Sequence, residues 1–519
     1  MPKAAFGPAL TAQAGNWGAA YRVALANAGI FLLLALAMFV LEPRSLAVIL
    51  AVPALFFLGC MLSFLLMVRS GGDLAAIAWF VLGSGVYFGM GAVAGGLHVH
   101  PHSDYLFADD TLYLVRVNLL NACSVFIVLA AAYPLANMRG LKASQHDISL
   151  ANMERILQRI LPYIVAISAV GVTLKYVLFP VADSLLLRSM AAKVYLIIPS
   201  CFLLLGLLWR STGWQLKLIA GSVFLLEILN GLIGLTKYQV ISAMLALAIG
   251  MWLTRRSATF VLMALAVVAS VFVVINPLVT LGRAHIDYDA DKNTVTTRLA
   301  ILADAVNAYY LVNKKQDDVS IKPQKFKGDS SEKFTHNVKE MTTSEARLRA
   351  LGRRFDVASI QGYLVNEYKS GRPGNSLVDY WAVVIPRVLW PEKPILTRFG
   401  RELNEQYYYV PGASTQNSSS TAPTYSAEAY WNYGPMGVVI VSILLGLALG
   451  WLTRHWQLAM VGRDPAFLFI AFPVAIWASF VESWVVATYL GEFIIFVVVL
   501  LFVRASFPLL RTVMGRART

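Results

Sequence analysis

Charge is scarce in this sequence. Asp, Glu, Lys and Arg supply 14% of its 519 residues, hydrophobic residues supply 58%, and the mean hydropathy is +0.64. A soluble chain of this length needs far more polar surface, so a soluble globular protein is excluded. Cysteine is nearly absent too. Cys60, Cys123 and Cys201 all fall in apolar runs, which leaves no disulfide framework for the polar part of the chain. There is no Walker A loop, no GxSxG and no HExxH, so chemistry driven by an internal nucleotide site finds no support. No internal repeat is visible, whereas many transporters carry one.

The sequence is instead rich in apolar runs of about 18 residues or more, the length needed to cross a bilayer as helix. Twelve spans are expected, near 22–41, 46–68, 74–97, 112–135, 158–180, 192–209, 214–235, 238–254, 258–281, 434–453, 466–486 and 489–507. Helices satisfy their own backbone in lipid, so the expected fold is an all-α polytopic integral membrane protein. The first run lacks a small-residue cleavage site and reads as a retained span. Three domains follow: a membrane domain at 1–281, a large loop domain at 282–433, and a second membrane domain with a basic tail at 434–519.

The net charge of +14 suggests nucleic acid, but its distribution does not. The segment 282–433 is nearly balanced, with 20 Lys+Arg against 17 Asp+Glu, leaving 23 bases and 12 acids elsewhere. Most of those bases sit in alternate short loops: Arg69; Arg139, Lys142, Arg155 and Arg159; Arg210 and Lys217; Arg255 and Arg256; Arg454 and Arg463; then the tail. That is the positive-inside pattern. It predicts cytoplasmic termini, an external segment 282–433, the lipid bilayer as a partner and no nucleic acid. Within that segment 296–312 and 342–368 have helical periodicity, 314–334 reads as a surface loop, and 376–394 reads as a short interfacial helix ended by prolines.

Basic residues at the external ends oppose the orientation bias and need another reason to exist. They are Arg116, Lys175, Lys237 in the turn "GLTKYQ", Arg283, Arg387 and Arg401. If they converge, they form a cationic site for the phosphates of a lipid-linked substrate. The alternative is snorkelling to lipid headgroups. Glu227 and Asn230, one turn apart inside a span, read as a structural polar contact. Glu482 and Glu492 lie near the last outer connection. His98, His100, His102 and Asp104 match no closed zinc pattern, and no metal or other cofactor is expected.

The stretch "TYSAEAYWNYGPMG" at 424–437 stands where polar chain meets apolar chain. Pro435 suits the first turn of a helix. Gly446 and Gly450 form a GxxxG face that lets another helix approach closely. Glu428, Tyr430, Trp431 and Tyr433 are then expected at the external interface. Their aromatic rings belong to the usual interfacial belt, or they stack on sugars beside a carboxylate able to take a proton.

"AEAYWNYGPMGVVIVSILLGLALG" resembles the segment after the large external loop in Wzy-type polymerases of O-antigen and capsule repeats. "VIPRVLWPEKPILTRFGRE" and "GLTKYQVISAMLALAIG" are similar to two further elements of that family; the first six expected spans carry no such motif, so the resemblance extends over roughly half the chain. The resemblance implies a membrane glycosyltransferase fold that uses polyprenyl-linked donors. It implies transfer of a growing glycan from polyprenyl diphosphate to an incoming lipid-linked repeat, with inversion, in a bacterial inner membrane. It needs no metal and no nucleotide-sugar donor. A flippase and chain-length regulator proteins are candidate partners. Glu428, Arg387 and Lys237 become the catalytic candidates. Arg283, Lys393, Arg401, Arg116, Lys175, Tyr430 and Trp431 become the candidates for holding diphosphate and sugar. His285, Asp379 or no protein base at all remain alternatives to Glu428. An O-antigen ligase shares the architecture and the chemistry; a transporter or flippase and a non-catalytic assembly subunit are the further readings.

Overall fold

A computed structural model describes residues 17–43, 45–97, 112–136, 157–166, 168–171, 197–233, 237–255, 295–314, 356–378, 380–385, 390, 392, 399–400, 402–403, 422–460 and 464–516. In chain order its main helices are α1 (Trp17–Leu41), α2 (Leu46–Arg69), α3 (Ala76–Gly96, π-helical over Gly85–Met90), α4 (Leu112–Ala136), α5 (Ile197–Leu207), α6 (Trp214–Ile233), α7 (Lys237–Arg255), α8 (Val295–Lys314), α9 (Ala358–Lys369), α10 (Tyr380–Val384), α11 (Tyr425–Met460), α12 (Ala471–Ser479) and α13 (Gly491–Arg516). Among the described residues there is no strand, only an isolated bridge between Thr424 and Glu482. Among the described residues seven helices are long and apolar enough to cross a membrane: α1, α2, α3, α4, α6, α11 and Thr488–Ser506, which runs from the π-helical turn before α13 into α13. The chain is an all-helical membrane-embedded protein. The expected span 258–281 lies outside the described residues. The expected span 466–486 is not one helix: it divides into a 3₁₀ turn (Pro465–Phe469), the nine-residue α12, a non-helical stretch at 480–484 and a π-turn (Val485–Leu490).

The chain forms two compact units that interleave in sequence, one drawn from Ala151–Leu351 and the other from Pro8–Leu150 and Gly352–Thr519. In the first, α5 and α7 cross closely because both carry glycine at the crossing. A Cβ on Gly250 would stand 2.2 Å from the Leu203 carbonyl oxygen, and one on Gly206 would stand 2.5 Å from that of Leu247. Glu227 is buried in α6 and accepts from Asn230 within the same helix at 3.5 Å.

The second unit is built on α4. One end of this bundle gathers indole and amide donors on backbone carbonyls: Trp17 and Gln457 on Ala136, and Trp456 on Gly71. These bonds satisfy the orphan carbonyls that helix ends and turns leave. Asp464 holds Arg504 at the same end. The opposite end gathers Gly95, Gly96, Tyr113 and the capping residue Asp356, whose carboxylate accepts from the Ser359 amide and hydroxyl at 3.1 and 2.8 Å.

The α11 helix is not one rod. Tyr433 (φ −136°, ψ 18°) and Gly434 (φ 60°, ψ −150°) are non-helical and divide it into a first arm up to Asn432 and a second arm from Pro435. Both arms run along α4, in opposite directions. On the first, Tyr425 meets Ser124, Ser426 meets Asn121, and Ala429 packs with Leu120. On the second, Val438 packs with Leu120, Gly446 approaches Val128 and Ala131, and Gly450 approaches Ala132 and Leu135. The glycines at 446 and 450 therefore let α4 come close, as their spacing predicts. Ser124 stands twelve residues from each end of α4, or about 18 Å at 1.5 Å per residue. The first arm thus begins in the middle of the bundle and climbs outward to a hairpin tip at Gly434.

The 480–484 break lies at the same depth. Tyr425 N–H donates to the Val481 carbonyl at 3.3 Å, and Thr424 bridges Glu482. Non-helical backbone survives at membrane depth only when protein covers it. Thr424, Tyr425, Val481, Ser483 and Trp484 are all buried, and the Tyr425 ring is ringed by Phe80, Phe88 and Tyr489 at about 6 Å.

Candidate functional site

The candidate site is the outer end of the α11 hairpin together with α9 and the turn that follows it. Gln361 places α9. It exchanges two hydrogen bonds with Asn121, at 2.7 and 3.0 Å, and donates to Thr424 Oγ1 at 2.6 Å. Ser426 Oγ donates to Asn121 Oδ1 at 3.2 Å. A fully buried amide pair is costly unless satisfied, and here each member is. Three segments far apart in sequence are thereby fixed to one another. Asn118, one turn away on α4, is fully buried, and neither amide atom has a hydrogen-bond partner among the described residues.

Glu428 is not at the surface. It is 1% exposed. Ser376 Oγ donates to its Oε1 at 2.6 Å, and the Val485 amide donates to its Oε2. Asn432 Nδ2 donates to Ser376 Oγ and to the Glu428 carbonyl, both at 2.9 Å, while the Leu377 amide donates to Asn432 Oδ1 at 3.2 Å. The carboxylate therefore ties three elements: the first arm, the 370–377 turn and the start of the π-turn before α13. The expectation of an interfacial carboxylate fails because the chain reverses at Gly434. The residues before Pro435 run back into the bundle and do not lie along its edge.

Trp431 is occupied as well. Its Nε1 donates to the Arg372 carbonyl at 3.1 Å, and its ring covers Gly374, where a Cβ would stand 2.4 Å from the indole. Arg372, which the sequence reading did not single out, forms a two-pronged ion pair with Glu367 at 2.7 Å on the exposed side. That pair holds the guanidinium above its ordinary pKa, chiefly through the hydrogen bonds it donates to Glu367.

Tyr430 is different. Half-buried, it meets Tyr368 edge-on with ring centroids 5.2 Å apart, and it lies within electrostatic reach of Arg116 at the outer end of α4. Tyr368 Oη lies where a Gly434 Cβ would be, 2.5 Å away. Two phenols thus share one corner beside the hairpin tip, and the Arg116 guanidinium belongs to the same outer end of α4. Cation and hydroxyl donors so placed can receive phosphate oxygens.

Comparison of the chain with known proteins finds no matching family model, no matching curated protein and no matching solved structure.

Of the ten residues singled out from the sequence, the structure brings together Arg116 and Tyr430, with Glu428 and Trp431 behind them. Lys175, Arg283, Arg387, Lys393 and Arg401 lie outside the described residues, as do His285, Asp379 and the 98–110 stretch. Lys237 opens α7, and its side chain is likewise outside the description. Among the described residues no cluster of His, Cys, Asp and Glu could hold a metal. Tyr368 was missed. Its signal was present, seven residues after Gln361 on one face of a short helix, but its partner lies 62 positions further on.

Proposed function

We propose that this chain polymerises polyprenyl-diphosphate-linked oligosaccharide repeats at the external face of a bacterial inner membrane, with both termini cytoplasmic. The observation that carries the reading is the corner of Arg116, Tyr430 and Tyr368 at the tip of the hairpin formed by "AEAYWNYGPMG". The same stretch carries the family resemblance. The twelve-span topology with a large external loop belongs to this proposal.

In this reading the donor's diphosphate accepts from Arg116 and the two phenols. As the glycosidic C–O bond breaks, charge gathers on the departing diphosphate, and fixed donors stabilise it more in the transition state than before it. The acceptor hydroxyl forms the new bond at the anomeric carbon and gives up its proton. Lys237, Arg387, Lys393, Arg401, Arg283 and Lys175 remain candidates for further cations from the sequence alone. Glu428 serves by holding the hairpin and the 370–377 turn in register, since both of its oxygens are engaged. Trp431 holds the same turn from its other side.

The experiment is a glycan ladder. The purified protein is reconstituted in lipid with polyprenyl-diphosphate repeat units and no nucleotide sugar. Material rising by one repeat per step supports the polymerase, and Arg116→Ala then lowers the rate by about 10²-fold or more. A single transfer that requires a lipid A core gives the ligase. A flippase is the second reading, because broken helices with buried polar groups at mid-bundle are what transporters use; translocation of the lipid-linked unit without any transfer would select it.

A further inference from the structure

We infer that the segment from Leu377 to Ile385 is a re-entrant insertion, seated in the acyl region of the bilayer against α13. It concerns the membrane seat alone and stands whether or not the enzymatic reading does.

The path of the chain carries the argument. Leu377 is pinned near the hairpin tip by Asn432. Six residues on, Val383 Cγ1 lies 3.6 Å from where a Gly491 Cβ would be. Gly491 is not at the outer end of the bundle. It lies between Tyr489, whose ring meets Tyr425 at 6.0 Å, and Phe493, whose ring meets Trp451 at 5.9 Å. Tyr425 is level with the midpoint of α4, and Trp451 lies deeper still. Val383 is therefore carried inward, to the level of the bundle's interior, on its outer surface. Further along the chain, Phe399 and Leu403 pack with Ile360, Leu364 and Trp484.

The surface there faces lipid. Val378, Tyr380 and Trp381 are 55%, 60% and 48% exposed. The outer face of α13, against which the segment packs, is apolar: Val498, Leu501 and Phe502 are all exposed. Trp381 stacks on Trp390 at 5.1 Å, giving a broad aromatic face. The sequence from 377 to 385 is LVDYWAVVI, whose one charged residue, Asp379, comes two positions after the anchor.

Backbone bonding agrees. Lipid offers no partner for an unpaired N–H, so an inserted segment must satisfy its own. The Leu377 amide is taken by Asn432, Val378 by the Asn375 carbonyl, Tyr380 by Leu377 and Ile385 by Ala382. A surface loop in water has no such need.

The test uses the full chain in lipid vesicles. Cys60, Cys123 and Cys201 are replaced by alanine, and a nitroxide is placed through Trp381→Cys. Ile440→Cys serves as the lipid-facing reference and Ser370→Cys as the aqueous one. Collisional access to oxygen is compared with access to a water-soluble nickel chelate. The expected oxygen-to-nickel ratio at 381 matches that at 440 and stands well above that at 370. A ratio equal to that at 370 overturns the insertion. Exclusion of both reagents also overturns it, because the face would then be covered by protein. Tyr380→Cys reads the same surface independently if the Trp381 variant does not fold.

Discussion

Gly434 is the residue on which the site turns. Its φ of 60° with ψ of −150° belongs to a region open essentially to glycine alone. A Cβ there would also meet Tyr368 Oη at 2.5 Å. Gly434→Ala is expected to cost about 1–3 kcal/mol from the backbone alone, more with the clash. Thermal unfolding in detergent reads the loss, and retained stability would show that the reversal is dispensable. Glu428 gives a second test at this scale. Glu428→Gln keeps the shape but turns one of the two acceptor sites into a donor that faces an N–H or O–H. The expected cost is about 1–3 kcal/mol, with slower transfer and an unchanged pH profile. A profile whose acidic limb disappears would instead make Glu428 the proton acceptor.

At the scale of elements, the two arms of α11 and the break before α13 depend on close packing and on one polar clamp. Gly446 and Gly450 bring α11 onto α4, with Cβ positions only 2.5 and 2.8 Å from carbonyl oxygens. Gly446→Val is expected to part the helices and destabilise by about 1–3 kcal/mol, as overpacking does; a far smaller loss of thermal stability would contradict the close approach. At the opposite end Arg504 grips Asp464 through Nε at 3.1 Å and Nη2 at 2.6 Å, while His455 Nδ1 lies 2.8 Å from the same carboxylate. Burial pushes the Asp464 carboxyl upward, but the bonds with His455 and Arg504 outweigh it and leave the pKa below its ordinary value. A depressed carboxylate contributes stability that is present above its unfolded pKa and is lost as pH falls through the folded one. The Asp464→Asn protein should therefore be less stable than the parent at neutral pH, by about 1–3 kcal/mol. The two should converge in acid, which melting curves across that range would check.

For the whole molecule, the second unit has two unlike ends. Arg69, Arg454 and Arg504 share one of them, and the hairpin tip, α9 and the 370–377 turn share the other. In the proposed topology, which rests on the positive-inside rule, the first end is the cytoplasmic one. A thiol introduced by Ser370→Cys should react with an impermeant maleimide applied to cells whose outer membrane has been opened, and one introduced by Arg69→Cys should not. The reverse labelling would invert the topology and move the proposed site to the cytoplasm.

Composition and periodicity alone settled that this is an all-helical membrane protein. Burying apolar runs in lipid is a local, additive property of each run. They also gave most helix positions, the close approach at Gly446 and Gly450, and the helix start at Pro435. The motif at 424–437 was legible as special, and Arg116 and Tyr430 were legible as candidates. What the sequence could not decide was direction. Whether the chain before Pro435 lies along the membrane edge or folds back into the bundle depends on partners for Glu428, Ser426 and Thr424. Those partners, Ser376, Val485, Asn121 and Gln361, lie 52 to 305 residues from them. Buried hydrogen bonds of that kind are made only when distant segments meet, so only the tertiary structure could turn an interfacial carboxylate into a buried bolt and the stretch before Pro435 into one arm of a hairpin.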